Sequence, residues 1–532
     1  MNKYWRTGEP YVWATGAALS LTLLIALTLI VVVMINGLGV FWPDDLEQAT
    51  LKSGRTLLGE VVKREPAASG EGYRKQYKIG NRDIYGLDFR WVDEADIEAL
   101  AQPADAFILE REEYGNFYGY LQSLDVGGLA PESSSDDAAR LFAAHERVRE
   151  LKEDVEDLED AVSGLSYQLE NIRRQLLEAE YQGLGPNHPK VEALEREQAI
   201  LQDDFRQLVD RINSETRQLR QYHATFTEAD GQQRDIALAD IVRAYRPNQM
   251  DFVQKVGVYL SKLKELFLAD PRESNTEGGL FPAIFGTVLL IFTMSLFSFP
   301  LGVIAAIYLR EYAREGLLVR LVRIAVNNLA GIPSIVYGIF GLGFFIYGIG
   351  GTIDRLFFPE MLPTPTYGTG GLLWASLTLA LLTVPVVIVA TEEALGAIPR
   401  EIREGSLALG STKFQTLVRI LLPMSSPGIM TGLILAMARA AGEVAPLMIT
   451  GVVKLAPTLP IDGNFPFLHL DRKFMHLGFH IYDIGFQSPN VEAAKPMVFV
   501  TTLLLVLIVL VMSSVAIRLR NKMKKRYTFG TF

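Results

Sequence analysis

Two charged residues in an apolar run carry the chemistry this sequence offers. Arg439 and Glu443 stand four residues apart, hence on one face of a helix, and each charge costs about 2.5–3.5 kcal/mol at the centre of a membrane span. A cost of that size has two readings. The pair can neutralise itself and lock two helices together. Alternatively, Arg439 faces a transient aqueous path and offers a forked donor to an oxyanion, with Glu443 orienting it or discouraging permanent occupation. Upstream, the run Asn327-Asn328-Leu329-Ala330-Gly331-Ile332-Pro333-Ser334-Ile335-Val336 places Gly and Pro inside an apolar stretch. Such interruptions are tolerated where they are buried in protein or line a cavity, so Pro333 and Ser334 join the candidate path, with a packing kink as the alternative.

A third stretch, residues 391–450, is charged at its centre and apolar at both ends. The pattern predicts a short amphipathic helix over 400–409, with Arg400, Glu401, Arg403 and Glu404 on its wet side. Gly410 and Ser411 break it, because glycine is tolerated at a helix end where other residues are strained. A second short helix over 412–421 is expected to stop at Pro423, which cannot continue a hydrogen-bonded helix interior. A helix-turn-helix that leaves a membrane, runs along its surface and returns has the shape of a docking element, although an ordinary interfacial loop shares that pattern.

The order Glu404-Gly405-Ser406, three residues, Gly410, nine residues, Ile420, one residue, Leu422-Pro423 resembles the EAA loop of bacterial ATP-binding-cassette importer permeases. In that family the loop fits a groove on the ATPase subunit, which implies a coupling role for Arg403, Glu404, Gly405, Ser406, Gly410 and Pro423. Gly405 and Ser406 depart from the two alanines of the pattern, but both are small, so close packing is expected to survive. Several further segments are similar to the PstA-type permease subunit of phosphate transporters: Glu393-Ala394-Leu395, Pro399, Ala408-Leu409-Gly410-Ser411-Thr412-Lys413, Pro427-Gly428-Ile429, and Arg439-Ala440-Ala441-Gly442-Glu443 followed by Ala445-Pro446-Leu447. Pro333-Ser334-Ile335-Val336 is similar as well. Val444 stands where the family usually has Thr. The resemblance covers roughly residues 281–532 plus the first apolar segment. It implies phosphate import beside a second permease of the PstC type, a dimer of PstB-type ATPase subunits engaging the Glu404 loop, and an external PstS-type phosphate-binding protein.

The elements that must position these residues follow from bulk properties and periodicity. The chain has 532 residues, 49% of them hydrophobic and 21% charged, with a mean hydropathy of +0.18, a mixture that calls for apolar spans joined to a sizeable polar domain. A net charge of -10 argues against a general nucleic-acid binder. The absence of Cys excludes disulfides and thiolate metal sites. The composition offers no metal or nucleophile constellation and no G-x-x-x-x-G-K-[ST] phosphate loop. No cofactor is therefore expected, the chain is not an enzyme, and energy must come from a partner.

Apolar runs long enough to cross a bilayer fall at 13–37, 281–309, 328–348, 371–390, 428–450 and 495–517, giving six spans. The first, preceded by Lys3 and Arg6, is too long for a signal peptide and reads as an anchor. Arg310, Arg314, Arg320 and Arg323 lie in one connection, and Arg400, Arg403, Lys413 and Arg419 in another. Arg518, Arg520, Lys522, Lys524, Lys525 and Arg526 fall in a basic tail over 520–532 and just before it. With six spans all of these, and both termini, share the positive, cytoplasmic side of an inner membrane. Residues 41–271 then lie in the periplasm.

That external segment reads as a β-rich module over 51–126 and 233–245, with strands at 56–62, 73–79, 84–92 and 106–110. Between them, 136–223 carries a heptad stripe broken at Gly183-Leu184-Gly185-Pro186-Asn187-His188-Pro189. An antiparallel coiled-coil hairpin with arms of roughly 60 Å is the economical solution, and pairing with another chain is the alternative. The expected fold is thus an α-helical polytopic membrane protein of the ABC importer permease type. Its core occupies 281–519, with an EAA-like loop at 392–423. Sulfate or molybdate permeases are a rival within this class, because Arg and helix dipoles do not separate tetrahedral oxyanions; an envelope sensor or scaffold built on the hairpin is a rival outside it.

Overall fold

The computed structural model describes residues 7–67, 72–129, 136–488 and 490–527. Lys3, Arg6 and the end of the basic tail beyond residue 527 lie outside the described residues. The chain divides into two units, one of residues 1–40, 280–354 and 365–532, the other of residues 41–279 and 355–364.

The polar unit is built on two five-stranded antiparallel sheets. The first uses β1 (Leu46–Leu51), β2 (Thr56–Pro66), β3 (Tyr73–Lys78), β4 (Phe89–Asp93) and β5 (Ile97–Ala101) in the order β4-β3-β2-β1-β5. The second uses β6 (Ala106–Arg111), β7 (Asn116–Asp125), β8 (His223–Thr227), β9 (Gln233–Ala237) and β10 (Ile241–Tyr245) in the order β10-β6-β7-β8-β9. The strand expected at 84–92 begins later, at Phe89. Asn81 (φ 53°) and Gly86 (φ 70°) are both left-handed and bracket a single helical turn, Arg82–Tyr85.

A helical hairpin leaves the second sheet between two adjacent strands, with Asp125 of β7 paired to His223 of β8 at its root. Its arms are α2 (Asp137–Tyr181) and α3 (Pro189–Leu219). Asp136 caps the first by accepting from Ala138 N at 3.1 Å, and Pro189 opens the second, where a missing N–H costs nothing. The arms are unequal, 45 and 31 residues or about 67 and 46 Å at 1.5 Å per residue. The longer arm uses its first turns on the sheet: Leu141, Ala144 and Val148 share one core with Phe107, Phe117 and Phe226.

The same unit contains a buried charge cluster that fastens α4 (Phe252–Leu268) to β6 and β10. Glu110 on β6 is ion-paired to Arg243 and to Lys262 Nζ at 2.7 Å, and accepts from Tyr245 Oη at 3.2 Å. Burial acts to raise the Glu110 carboxyl pKa, but Lys262 and Arg243 win and hold it down at about 2. Because the folded value is depressed, the stabilisation is fully present above the unfolded value near 4.5 and is lost as pH falls through about 2. Glu110→Gln leaves the half-buried Lys262 without its acid and Arg243 with Glu265 alone, a change expected to destabilise this unit by about 3 kcal/mol at neutral pH. Thermal or denaturant unfolding of the full chain in detergent, followed by hydrogen exchange of β6 and β10, checks this.

Among the described residues six helices are long and apolar enough to cross a membrane: Glu9–Gly39, Phe281–Tyr312, Ser334–Phe357, Leu372–Gly396, Lys413–Ala441 and Val491–Lys525. We label Glu9–Gly39 α1, Phe281–Ile307 α5, Leu317–Leu329 α6, Ser334–Phe340 α7, Leu372–Gly396 α8, Arg400–Ala408 α9, Leu422–Ala441 α10, Ala445–Thr450 α11 and Val491–Tyr527 α12. The most buried is α8, which packs against α5 and α10 through small residues that let backbones approach. A Cβ on Gly302 of α5 would stand 2.7 Å from Val387, and one on Gly428 of α10 would stand 2.4 Å from Ala394. The helix α1 packs on α12 in the same way, Gly37 against Leu503 and the Phe499 carbonyl.

Two spans differ most from expectation. The third span starts at Ser334 rather than at 328, because Leu317–Leu329 forms a separate amphipathic helix that ends before Gly331 and Pro333. The fifth runs over Lys413–Ala441 and stops there, leaving 445–450 as its own short helix.

Candidate functional site

The charged loop is held by its flanking spans. Leu395 and Ile398 at the end of α8, Leu417 and Leu421 before α10, and Ile402 of α9 share one apolar cluster. Arg403 supplies the polar half of the anchorage. Its Nη1 donates to the Ile398 carbonyl at 2.9 Å, and its Nη2 donates to the Leu395 carbonyl at 2.5 Å and to Glu311 Oε1 at 3.0 Å. Those carbonyls lie in the last turn of α8 and just past its end, and a planar fork can bridge them where a point charge cannot.

Gly410, at φ +88°, ends α9, and Leu409, Gly410 and Ser411 return their amides to Gly405, Leu407 and Ser406. The next turn is opened by a capping box: Thr412 Oγ1 accepts from Gln415 N at 3.2 Å, and Gln415 Oε1 accepts from Thr412 N at 3.0 Å. Ser406 is buried and meets the Thr416 hydroxyl at 2.9 Å. Of the two small residues in the motif only Ser406 is packed inside the chain. A Cβ on Gly405 would meet nothing within 4 Å. Glu404 and Gly405 therefore share an outward face with Leu407, Phe414 and Leu409, the last 90% exposed. Large apolar side chains held in the open beside charges form a surface for a protein partner.

Pro423 does not end a helix. The chain passes from 413–416 through a π-type turn at Leu417–Leu421 into α10, with Pro423 in its first turn and Pro427 inside it. Widening the turn just before Pro423 removes the clash between its ring and the preceding carbonyl.

Arg439 lies in the last turn of α10 and Glu443 just past its end, with Arg439 Nε 3.8 Å from Glu443 Oε1. That is an ion pair but too long for a hydrogen bond. Arg439 Nη2 also approaches the Ala330 carbonyl at 3.5 Å, a group freed by the break between α6 and α7. The structure thus brings the charged pair and the Gly-Pro break, 109 residues apart in sequence, to one place. Pro333, exposed, caps α7, and Ser334 is its first residue, half-buried. Three residues not singled out by pattern complete the arrangement. Tyr337 Oη donates to the Leu329 carbonyl at 2.7 Å and closes the break. Gly338 lets α7 lie on α11, where an added Cβ would stand 2.8 Å from Pro446 Cα. Glu311 receives Arg403. Their only sequence signal was position at the end or beginning of a span; the pairings join residues with no helical spacing.

Residues 298–525 match the family model described as the inner membrane component of binding-protein-dependent transport systems. A permease of Methanocaldococcus jannaschii named a probable phosphate transport system permease PstA is 34% identical over 41% of this chain and 67% of its own length. A phosphate transport system permease PstA of Mycobacterium leprae is 36% identical over 36% of this chain and 58% of its own. A Bacillus subtilis protein named a probable ABC transporter permease is 32% identical over 41% of this chain and 70% of its own. The chain thus spans under two thirds of some of these relatives and somewhat more of others. With its spans, its surface loop and these relatives, the chain belongs to the family of multi-pass inner membrane components of binding-protein-dependent transport systems, in the PstA-type branch.

Proposed function

We propose that this chain is a permease subunit of an ATP-driven importer for inorganic phosphate. The observation that carries the reading is the loose Arg439–Glu443 pair beside the helix break at 330–334, in a chain whose relatives are named for phosphate transport. A guanidinium with a distant carboxylate can exchange part of its coordination for a tetrahedral oxyanion without holding it tightly. Pro333 and Ser334 line the same place, where a broken helix offers unpaired backbone groups.

The outward face of Glu404, Gly405, Leu407, Leu409 and Phe414 docks a PstB-type ATPase dimer, with Gly410 setting the turn and Ser406 and Pro423 holding it to the membrane core. Arg403 positions this loop rather than touching the ATPase. A PstC-type permease completes the path and a PstS-type protein delivers phosphate. ATP binding draws the loops together and reorients the path around a fixed site. ATP hydrolysis belongs to the partner. Both termini and the loop are cytoplasmic, and residues 41–271 are periplasmic, as the Lys and Arg distribution supports.

Uptake of labelled phosphate at low external concentration, in cells that rely on this chain, tests the substrate. Unlabelled phosphate is expected to compete and sulfate and molybdate are not. Equal competition by sulfate or molybdate overturns the assignment to phosphate.

A further inference from the structure

The helix α4 is turned inside out relative to a soluble helix. Its face toward the sheets carries Lys255, Lys262 and Glu265, ion-paired to Asp45 at 2.6 Å, to Glu110 at 2.7 Å and to Arg243 at 2.9 Å, beside buried Leu266. The opposite arc is apolar: Phe252, Val253, Val256, Leu260, Leu263 and Phe267 recur at helical spacing. Val253 is 74% and Leu260 58% exposed. A contiguous exposed patch of that kind marks an interaction site.

The tethers at both ends of the helix say what covers it. At the start, Trp42 packs on Phe252 and Tyr259 with ring centroids 5.8 and 6.2 Å apart. Trp42 lies three residues past Gly39, the end of the first span, so the chain cannot carry it more than about 11 Å from there. At the other end, Pro271–Arg272 pairs with Glu277–Gly278, and Gly279 N donates to the Asp270 carbonyl at 2.9 Å. That small hairpin closes on itself, so the chain gains almost no length between Ala269 and Phe281, where the second span begins. Among the described residues no span intervenes between Gly39 and Phe281, so both span ends open on the same face of the membrane. A 17-residue helix, about 25 Å long, is thus pinned at each end close to one bilayer surface. It carries an apolar stripe, with a Trp and a Tyr at the level where interfacial aromatics concentrate.

We propose that α4 lies in the plane of the membrane interface, its apolar arc in the boundary between headgroups and acyl chains, so that the polar unit rests on lipid through this helix. Lys264, exposed at the edge of the arc, extends its ammonium to the headgroups. The proposal stands on the tethers and the arc, and it does not depend on which substrate the permease carries.

The chain has no Cys, so a single probe site is available by substitution. Leu260→Cys and Phe267→Cys each replace an exposed side chain, as does Ile200→Cys on the helical hairpin. The full-length variants are labelled with an environment-sensitive fluorophore and reconstituted into phosphatidylcholine–phosphatidylglycerol vesicles. Doxyl-labelled lipid and aqueous iodide serve as quenchers. Probes at 260 and 267 are expected to be quenched by the lipid label, at a depth of about 5–10 Å below the headgroup level, and protected from iodide. The probe at 200 is expected to respond to iodide alone. Quenching by iodide at 260 and 267 places the arc in water and overturns the proposal. Protection from both quenchers means that protein, a second copy of this chain, covers the arc, and overturns it equally.

Discussion

Arg439→Gln is expected to lower phosphate uptake about 10- to 100-fold with normal membrane levels, the loss of one charge-assisted hydrogen bond at about 1.5–3 kcal/mol. Gln keeps much of the length and some donor capacity but neither the charge nor the fork. Arg439→Lys keeps the charge and is expected to recover only part of the rate, because an ammonium does not present paired donors. The rival role, mutual neutralisation of Arg439 and Glu443 at 3.8 Å, makes a different prediction. If the pair only locks helices, Arg439→Gln with Glu443→Gln removes both charges together and restores uptake. If Arg439 meets the anion, the double variant stays as slow as the single one. The double-mutant cycle separates these outcomes directly, and restored uptake would return both residues to structural pairing.

Arg403→Ala is expected to uncouple the loop without removing the surface that docks. The side chain joins the Ile398 and Leu395 carbonyls to Glu311, and hydrogen bonds with a charged partner contribute about 1.5–3 kcal/mol each. Loss of even one amounts to roughly a tenfold to hundredfold rise in local opening. Hydrogen exchange of the amides of Arg400–Ala408 reads it directly, and uptake falls while the ATPase still copurifies. Leu409→Asp is the contrasting case. Leu409 is almost fully exposed, so the loop keeps its exchange protection while copurification of the ATPase is lost. Unchanged exchange in Arg403→Ala would refute the anchoring role, and retained copurification in Leu409→Asp would refute the docking face.

Much of this architecture is legible in the chain, because the membrane imposes strong constraints on sequence. A span needs a run of apolar residues with its backbone satisfied internally, so the number of spans shows in hydropathy alone. The loop motif was legible for a related reason. Gly410 is required by a left-handed turn at φ +88°, and the charged face of α9 must be wet. The limits of spans were less legible. Hydropathy does not distinguish a span from an amphipathic helix such as α6, or from the short helix over 445–450, since both are rich in apolar residues; the breaks at Gly331–Pro333 and at Gly442 decide where a span starts or stops.

Local rules failed at particular residues. Pro423 should stop a helix, yet a wider turn before it lets the helix continue. Arg403 read as part of a docking face, yet Glu311, 92 residues away, and two carbonyls at a helix end claim it. The spans, the turn at Gly410, the helical hairpin and the four-residue spacing of Arg439 and Glu443 are written in the chain, because each follows from periodicity or from a backbone angle within a few residues. That Arg439 meets the broken helix at Ala330, that Gly405 faces outward while Ser406 packs, and that α4 keeps its charges inside depend on the folded arrangement. Those are contacts between segments far apart in the chain, whose meeting is set by packing of whole elements rather than by any local preference.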